Sequence, residues 1–190
     1  MTTAPNSNDP AFRIVGGRTC LDFVNTADWL ESGELHTDKF RKDADVVAWC
    51  RAVGLASIDP PRDALNTIRR FRAVLRRLFM HVITESKPME EDLACLNDAL
   101  ESMDGMALQG NGSEFGFTPS TTLEQAVAVS AAALLARAED RARLKICPGE
   151  ACGWLFLDES RNRRRTWCSM EVCGNRAKAR RHYQRKTGRA

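Results

Sequence analysis

Cys147-Pro148-Gly149-Glu150-Ala151-Cys152 and Cys168-Ser169-Met170-Glu171-Val172-Cys173 form two C-x4-C pairs with fifteen residues between them. Two close pairs across a short spacer suit a tetrahedral thiolate site, because Zn²⁺ takes four soft or borderline ligands at about 2.3 Å. The spacing lies at the loose end of the usual pattern. The surrounding segment is too short and too polar to build its own apolar core, so a metal supplies what the core cannot. Four thiolates leave no open position for water, so one structural Zn²⁺ held by Cys147, Cys152, Cys168 and Cys173 is expected. Reduced structural thiols or two disulfides are the competing readings. The seven cysteines of the chain, an odd number, fit a reducing compartment better than a disulfide framework. Cys20, Cys50 and Cys95, scattered through apolar stretches, are expected to be buried and inert.

Between the pairs run Gly153 to Asp158, a polar turn from Glu159 to Asn162, and a second run from Arg163 to Cys168. That pattern predicts a β-hairpin whose second strand ends on Cys168. Ser169 is placed to cap a helix with Glu171 in its first turn, which puts Cys173 where its thiolate faces the metal. A knuckle, a hairpin and a helix carrying the last ligand describe a treble-clef-like finger. His182, nine residues beyond Cys173, is too far along the helix to replace a cysteine. Trp154 and Trp167 are expected to form the mini-core, and Ala177, Ala179 and Tyr183 to pack the helix.

Charge is divided along the chain. From Lys145 onward there are twelve Lys+Arg against four Asp+Glu, a local charge of +8, whereas the preceding residues carry −5 and the whole chain +3. A basic tail on an acidic body is the usual footprint of polyanion binding. Arg161, Arg163, Arg164 and Arg165 at the hairpin tip are candidate nucleic-acid contacts. Arg176, Lys178, Arg180, Arg181, Arg185 and Lys186 along the helix complete the set. Of these, Arg176, Arg180 and Arg181 are placed to reach guanine edges.

Apolar spacing organises the remainder. Phe12 to Val15 reads as a short strand ended by Gly16-Gly17, and Leu21 to Leu30 as a helix. Asp38 is a candidate cap for a helix running to Val53. Asp59-Pro60-Pro61 opens the longest helix, to about Thr84, with its arginines on solvated faces. Met89 to Met103 gives another helix. Gly105 to Gly116 is a loop or hairpin turn with Phe115 and Phe117 in a second short strand, and a last, nearly all-apolar helix runs from Thr121 or Thr122 to about Leu144. The polar stretch from Met1 to Pro10 lacks the basic n-region and apolar h-region expected of a signal peptide, and the run from Ala126 to Ala136 is far short of the roughly 20 residues that span a bilayer. A cytoplasmic protein with no membrane partner is therefore expected. The body has no G-x-S-x-G, P-loop or dinucleotide fingerprint. Arg18, Asp22 and Asn25 form its one dense polar and glycine-rich cluster. They read either as a small-ligand pocket or as a turn and a helix start with their hydrogen-bond partners. An enzyme sited there would lack a visible nucleophile and base, so no enzymatic activity is expected.

Cys152-Gly153-Trp154-Leu155-Phe156-Leu157-Asp158, Arg164-Arg165-Thr166-Trp167-Cys168-Ser169-Met170 and Cys173-Gly174-Asn175-Arg176-Ala177-Lys178 closely resemble the CGNR zinc finger family, named for the tetrapeptide found here at Cys173 to Arg176. Cys20-Leu21-Asp22-Phe23-Val24-Asn25-Thr26 is similar to the opening motif of the ABATE domain, the usual N-terminal partner of such fingers in bacteria. The resemblance implies a DNA-binding finger on a mainly helical regulatory domain that carries a small β element. Three segments are expected: a disordered tail over 1–11, a mainly α domain with a small β element over 12–143, and a zinc finger of β-hairpin plus helix over 144–190. The expected function is transcription regulation through DNA bound by the finger, with a homodimer as a reasonable assembly and any small-molecule effector unspecified. A zinc-stabilised RNA-binding or protein-interaction module, with a ligand-sensing or dimerising N-terminal domain, is the alternative.

Overall fold

The computed structural model describes residues 12–30, 32–101, 108–111, 114–117 and 122–187; the tail over 1–11 lies outside the described residues. A reciprocal cap starts the central helix, as the Gln125 N–H donates to the Thr122 hydroxyl and the Thr122 N–H donates to the Gln125 side chain, both at 3.2 Å. This helix, α5 in chain order, spans Leu123–Ala136 and buries Val127, Ala128, Ala131 and Leu134. Around it pack α1 (Thr19–Val24), α3 (Leu65–Ile83) and α4 (Glu90–Glu101). α2 (Asp43–Ala52) adds Trp49, whose ring sits 5.6 Å from Phe23, and Phe23 in turn meets Phe40 and Phe71 at 6.2 Å each. Among the described residues no helix is long and apolar enough to cross a membrane.

Several boundaries differ from the sequence expectation, each for a local reason. The stretch from Phe12 to Val15 forms no strand, because the Asp22 carboxylate accepts the N–H groups of Val15 and Gly16 at 2.9 and 2.8 Å. The helix expected over Leu21 to Leu30 ends at Val24, and β1 (Ala27–Trp29) then pairs antiparallel with β2 (Leu35–Asp38) to make the body's first hairpin. Asp38 closes that hairpin rather than capping α2; Asp45 reaches back to the N–H groups of Arg41 and Lys42 at 2.8 and 3.0 Å. A second hairpin pairs β3 (Leu108–Asn111) with β4 (Glu114–Phe117): the strand expected at Phe115 and Phe117 is present, but its partner lies within the stretch read as a loop or turn. α5 stops at Arg137, which is extended, and the short α6 (Ala138–Arg141) turns the chain into β5 (Leu144–Ile146).

The C-terminal hairpin forms one segment earlier than the spacing suggested. β5 pairs antiparallel with β6 (Leu155–Leu157), so the strands bracket the first cysteine pair, and residues 163–168 form no strand. The reason is that the free edge of β6 is taken by the body. The Asn25 side chain donates to the Leu155 carbonyl at 2.8 Å and accepts the Leu155 N–H at 2.9 Å, while the Leu157 N–H donates to the Gly16 carbonyl at 2.9 Å. Successive side chains of a strand face opposite ways. Leu155 and Leu157 therefore enter the helical core, while Trp154 and Phe156 pack with the four cysteines.

The arginines of α3 also depart from expectation. Arg72 and Arg76 are not solvated but 2% and 4% exposed. Arg72 pairs with Asp38 at 2.5 Å and donates to the Thr26 hydroxyl at 2.9 Å. Arg69 donates to the Phe40 carbonyl, and Arg77 pairs with the buried Asp92. A charge this deep is costly without partners, and here they come from segments distant in sequence, the end of β2 and the turn at Thr26 for Arg72, although the Arg72 Nε itself has none among the described residues.

The Asn25 clamp generates a stability prediction. Asn25→Ala leaves the N–H and carbonyl of Leu155 buried without partners and is expected to cost about 3 kcal/mol, measured as a reduced midpoint of urea unfolding with the zinc content unchanged.

Candidate metal centre

The knuckle is set by backbone geometry. The Cys147 N–H donates to the Trp154 carbonyl at 2.8 Å, extending the β5–β6 ladder, and the Cys152 N–H donates to the Gly149 carbonyl at 3.0 Å. A Cβ on Gly149 would lie 3.2 Å from the Cys173 Sγ, so a larger residue there would require the cysteine cluster to give by a few tenths of an ångström. Gly153 has φ +56°, and a Cβ there would meet the Trp29 carbonyl oxygen at 2.8 Å; only glycine suits both demands. The second ligand pair comes from the helix entry. Ser169 caps it by accepting the Val172 N–H at 3.3 Å, as expected. The N–H groups of Cys173 and Gly174 both donate to the Ser169 carbonyl, which widens the first turn into a π-turn over Met170–Gly174. α7 (Asn175–Thr187) follows.

All four sulfur atoms lie within 4.8 Å of one another, and all four cysteines are buried. The Cys152–Cys168, Cys168–Cys173 and Cys152–Cys173 Sγ separations are each 3.6 Å. A tetrahedron with Zn–S bonds of about 2.3 Å has edges of about 3.8 Å, whereas a disulfide needs about 2.05 Å. The cysteines are free thiols. The donor set therefore fits one tetrahedral Zn²⁺ and not two disulfides. Elsewhere, burial pushes Cys20 up to about 12 and Cys50 to about 11, as inert thiols require.

The basic residues separate into two groups. Arg161, Arg163 and Arg164 at the tip are exposed, as are Arg176, Lys178, Arg180, Arg181, Arg185 and Lys186 on α7. Arg180 pairs with Glu150, and the Arg181 Nε donates to the Ala177 carbonyl at 3.4 Å. Arg165, grouped with the tip arginines by sequence, turns inward instead. Its guanidinium donates to the carbonyls of Trp167, Leu157, Val15 and Cys168 and lies 4.5 Å from the Phe156 ring centroid. A groove of about 690 Å³ between knuckle and α7 is lined by Pro148, Glu150, Trp167, Arg176 and Arg180. Trp154 is buried and Trp167 half-buried; Ala177 is half-buried too, but Ala179 and Tyr183 are exposed.

Arg18, Asp22 and Asn25 take up joining roles. Arg18 pairs with Asp140 and Glu159, Asp22 holds the N–H groups of Val15 and Gly16, and Asn25 clamps β6. Sequence reasoning missed Arg76, Asp28 and Lys145. The Trp154 indole donates to Asp28 at 2.8 Å, and Lys145 pairs with the fully buried Asp158 at 2.5 Å. Burial raises the Asp158 carboxyl, but hydrogen bonds from Lys145 and Ser160 outweigh it and bring the group down to about 2. The available signal was the placement of Arg72 and Arg76 at i and i+4 beside the apolar residues Phe71 and Leu75.

Comparison with known families agrees with this geometry. Residues 17–138 match the ABATE family, described as "Putative stress-induced transcription regulator". Residues 143–186 match the CGNR zinc finger. No curated protein matches the chain.

Because β6 belongs at once to the helical core and to the cysteine cluster, metal loss should be felt throughout. Cys168→Ser is expected to retain less than one zinc per chain and to lower the melting temperature by about 10 °C or more in a single transition. Metal analysis and thermal unfolding followed by tryptophan fluorescence check both outcomes.

Proposed function

The chain belongs to the ABATE family and ends in a CGNR zinc finger, and from that premise we propose that it regulates transcription by binding duplex DNA through the finger's exposed basic surface. The observation that carries this reading is α7. Its thirteen residues make a rod about 20 Å long, and side chains 178–186 are exposed on all its sides. A helix polar all round gains nothing from packing on its own protein, but it is the right width for the major groove of B-DNA. Lys178, Arg181 and Arg185 follow an i, i+3, i+7 spacing and make one basic stripe. Arg176 and Arg180 lie on another face, toward the groove with Trp167. Arg161, Arg163 and Arg164 supply further charge at the tip.

Division of labour follows from the charges. The stripe and the tip neutralise phosphates and position the helix, while Arg176, Arg180 and Arg181 are candidates for guanine edges. The body, with its net −5 up to Leu144, is repelled by the duplex and so favours approach by the finger alone. Zinc has no chemical role in this scheme. Held by four thiolates, it fixes the angle between knuckle and helix and offers no position to a substrate. The protein acts as a binding module rather than an enzyme.

Salt-dependent binding to labelled duplex DNA tests the proposal with the full chain. A log–log slope of about −4 to −6 is expected, and Arg181→Ala with Arg185→Ala should reduce it by about two units without releasing zinc. Failure to bind at low salt, or preference for single-stranded RNA in direct competition, would overturn the DNA reading.

A further inference from the structure

Helix α3 carries five arginines, and one of them has no ordinary partner. Arg70 is exposed, Arg69 and Arg72 face Asp38, and Arg77 faces Asp92. Arg76 is 4% exposed, and among the described residues no carboxylate pairs with it. Its guanidinium lies 4.7 Å from the Trp29 ring centroid and donates to the Gly153 carbonyl at 2.7 Å. Gly153 directly follows the ligand Cys152. Burial pulls Arg76 down to about 10, with the Cys152 thiolate acting the other way, so the side chain is cationic at neutral pH. A buried cation is costly unless a negative charge lies close by.

The metal centre supplies that charge. Zn²⁺ with four thiolates carries a net double negative charge, and every one of its cysteines is buried. Most other cations around it face carboxylates: Lys39 meets Asp28 although its charge also acts on Cys152, Lys145 meets Asp158 and Arg180 meets Glu150, while the Arg13 guanidinium lies 5.1 Å from the Trp154 ring centroid. Arg165 donates to the Cys168 and Val15 carbonyls, and its charge also acts on Asp22. Arg76 approaches the site from the body, 77 residues earlier than the glycine it contacts.

We propose that Arg76 is the counter-ion of the zinc centre, so that a helix of the ABATE segment sets how tightly the finger holds its metal. The inference rests on the four-thiolate site and is independent of the DNA reading, since its test involves no nucleic acid. Arg76 touches no sulfur in a bonding role. It lowers the free energy of the charged, metal-loaded cluster through the field it places beside Cys152, as partners outside the ligand set commonly do. Loss of the metal leaves the same guanidinium buried without a balancing charge, which ties the stability of α3 to occupancy of the finger.

Competition for Zn²⁺ with a chromophoric chelator at fixed neutral pH, using the full chain, measures the effect. Arg76→Gln is expected to weaken zinc binding by about 10- to 100-fold, and Arg76→Lys, which restores the charge, to stay within about threefold of the parent. The Co²⁺-substituted proteins should keep a tetrahedral tetrathiolate absorption spectrum, showing that the ligand geometry survives. Trp29→Leu, which removes the stacked ring and keeps the cation, should leave zinc affinity near the parent value. Parent-like affinity in Arg76→Gln, or an equally large loss in Arg76→Lys, overturns the proposal in favour of a hydrogen-bonding role at Gly153. If Arg76→Gln does not fold, Arg76→Lys decides: parent-like affinity supports charge balance, and a loss of about tenfold or more overturns it.

Discussion

Three residues, Leu155 to Leu157, are buried on both faces of a strand that has neighbours on both edges. β5 satisfies one edge, and the Asn25 side chain with the Gly16 carbonyl satisfies the other. A strand without a solvent face or a free edge cannot shift register without moving its entire apolar set or exposing backbone groups. Leu155 and Leu157 are fixed by the helical core, so Trp154 and Phe156 are fixed toward the cysteines. The knuckle, the second cysteine pair and α7 take their positions from that placement. The metal centre is therefore built onto the helical body, although its four ligands all come from one short C-terminal stretch.

Polar groups complete the join where apolar packing stops. Gly153 passes within contact of the Trp29 backbone, and the Trp29 N–H donates to the Cys152 carbonyl at 3.2 Å. Asp28 receives the Trp154 indole and pairs with Lys39, whose ammonium also lies 4.2 Å from that ring's centroid. Arg165 gathers carbonyls from both sides of the seam. Each contact is individually modest, but where the groups are buried the cost of leaving one unmet exceeds the gain from making it. Such a seam favours a single relative placement of the cysteine cluster on the helical body.

Much of this was legible from local pattern. The four ligands were evident because thiolate spacing is a short-range property, and Ser169 was evident as a cap because capping depends on the next few residues. The apolar spacing located α3, α4 and α5, whose buried faces repeat at three and four residues. Strand pairing was not legible. The run from Arg163 to Cys168 looked like a partner for β6 because it was next in line, yet Arg165 is committed to Val15 and Cys168 carbonyls and the edge of β6 belongs to Asn25. No nearest-neighbour signal reports a pairing 130 residues apart.

The charged side chains mark the same boundary. The sequence by itself determined the composition of the metal site, the concentration of positive charge after Lys145 and the helical character of the body, because each depends on residue type and on spacing within a few turns. Only the tertiary structure decided which arginines face water. Arg72, Arg76 and Arg165 read as surface residues, since a guanidinium without a visible partner belongs in solvent. Folding brings Asp38, the Gly153 carbonyl and the Val15 carbonyl to them from distant segments. Burial of a charge is decided by its partner, and a partner remote in sequence exists only once the chain has closed upon itself.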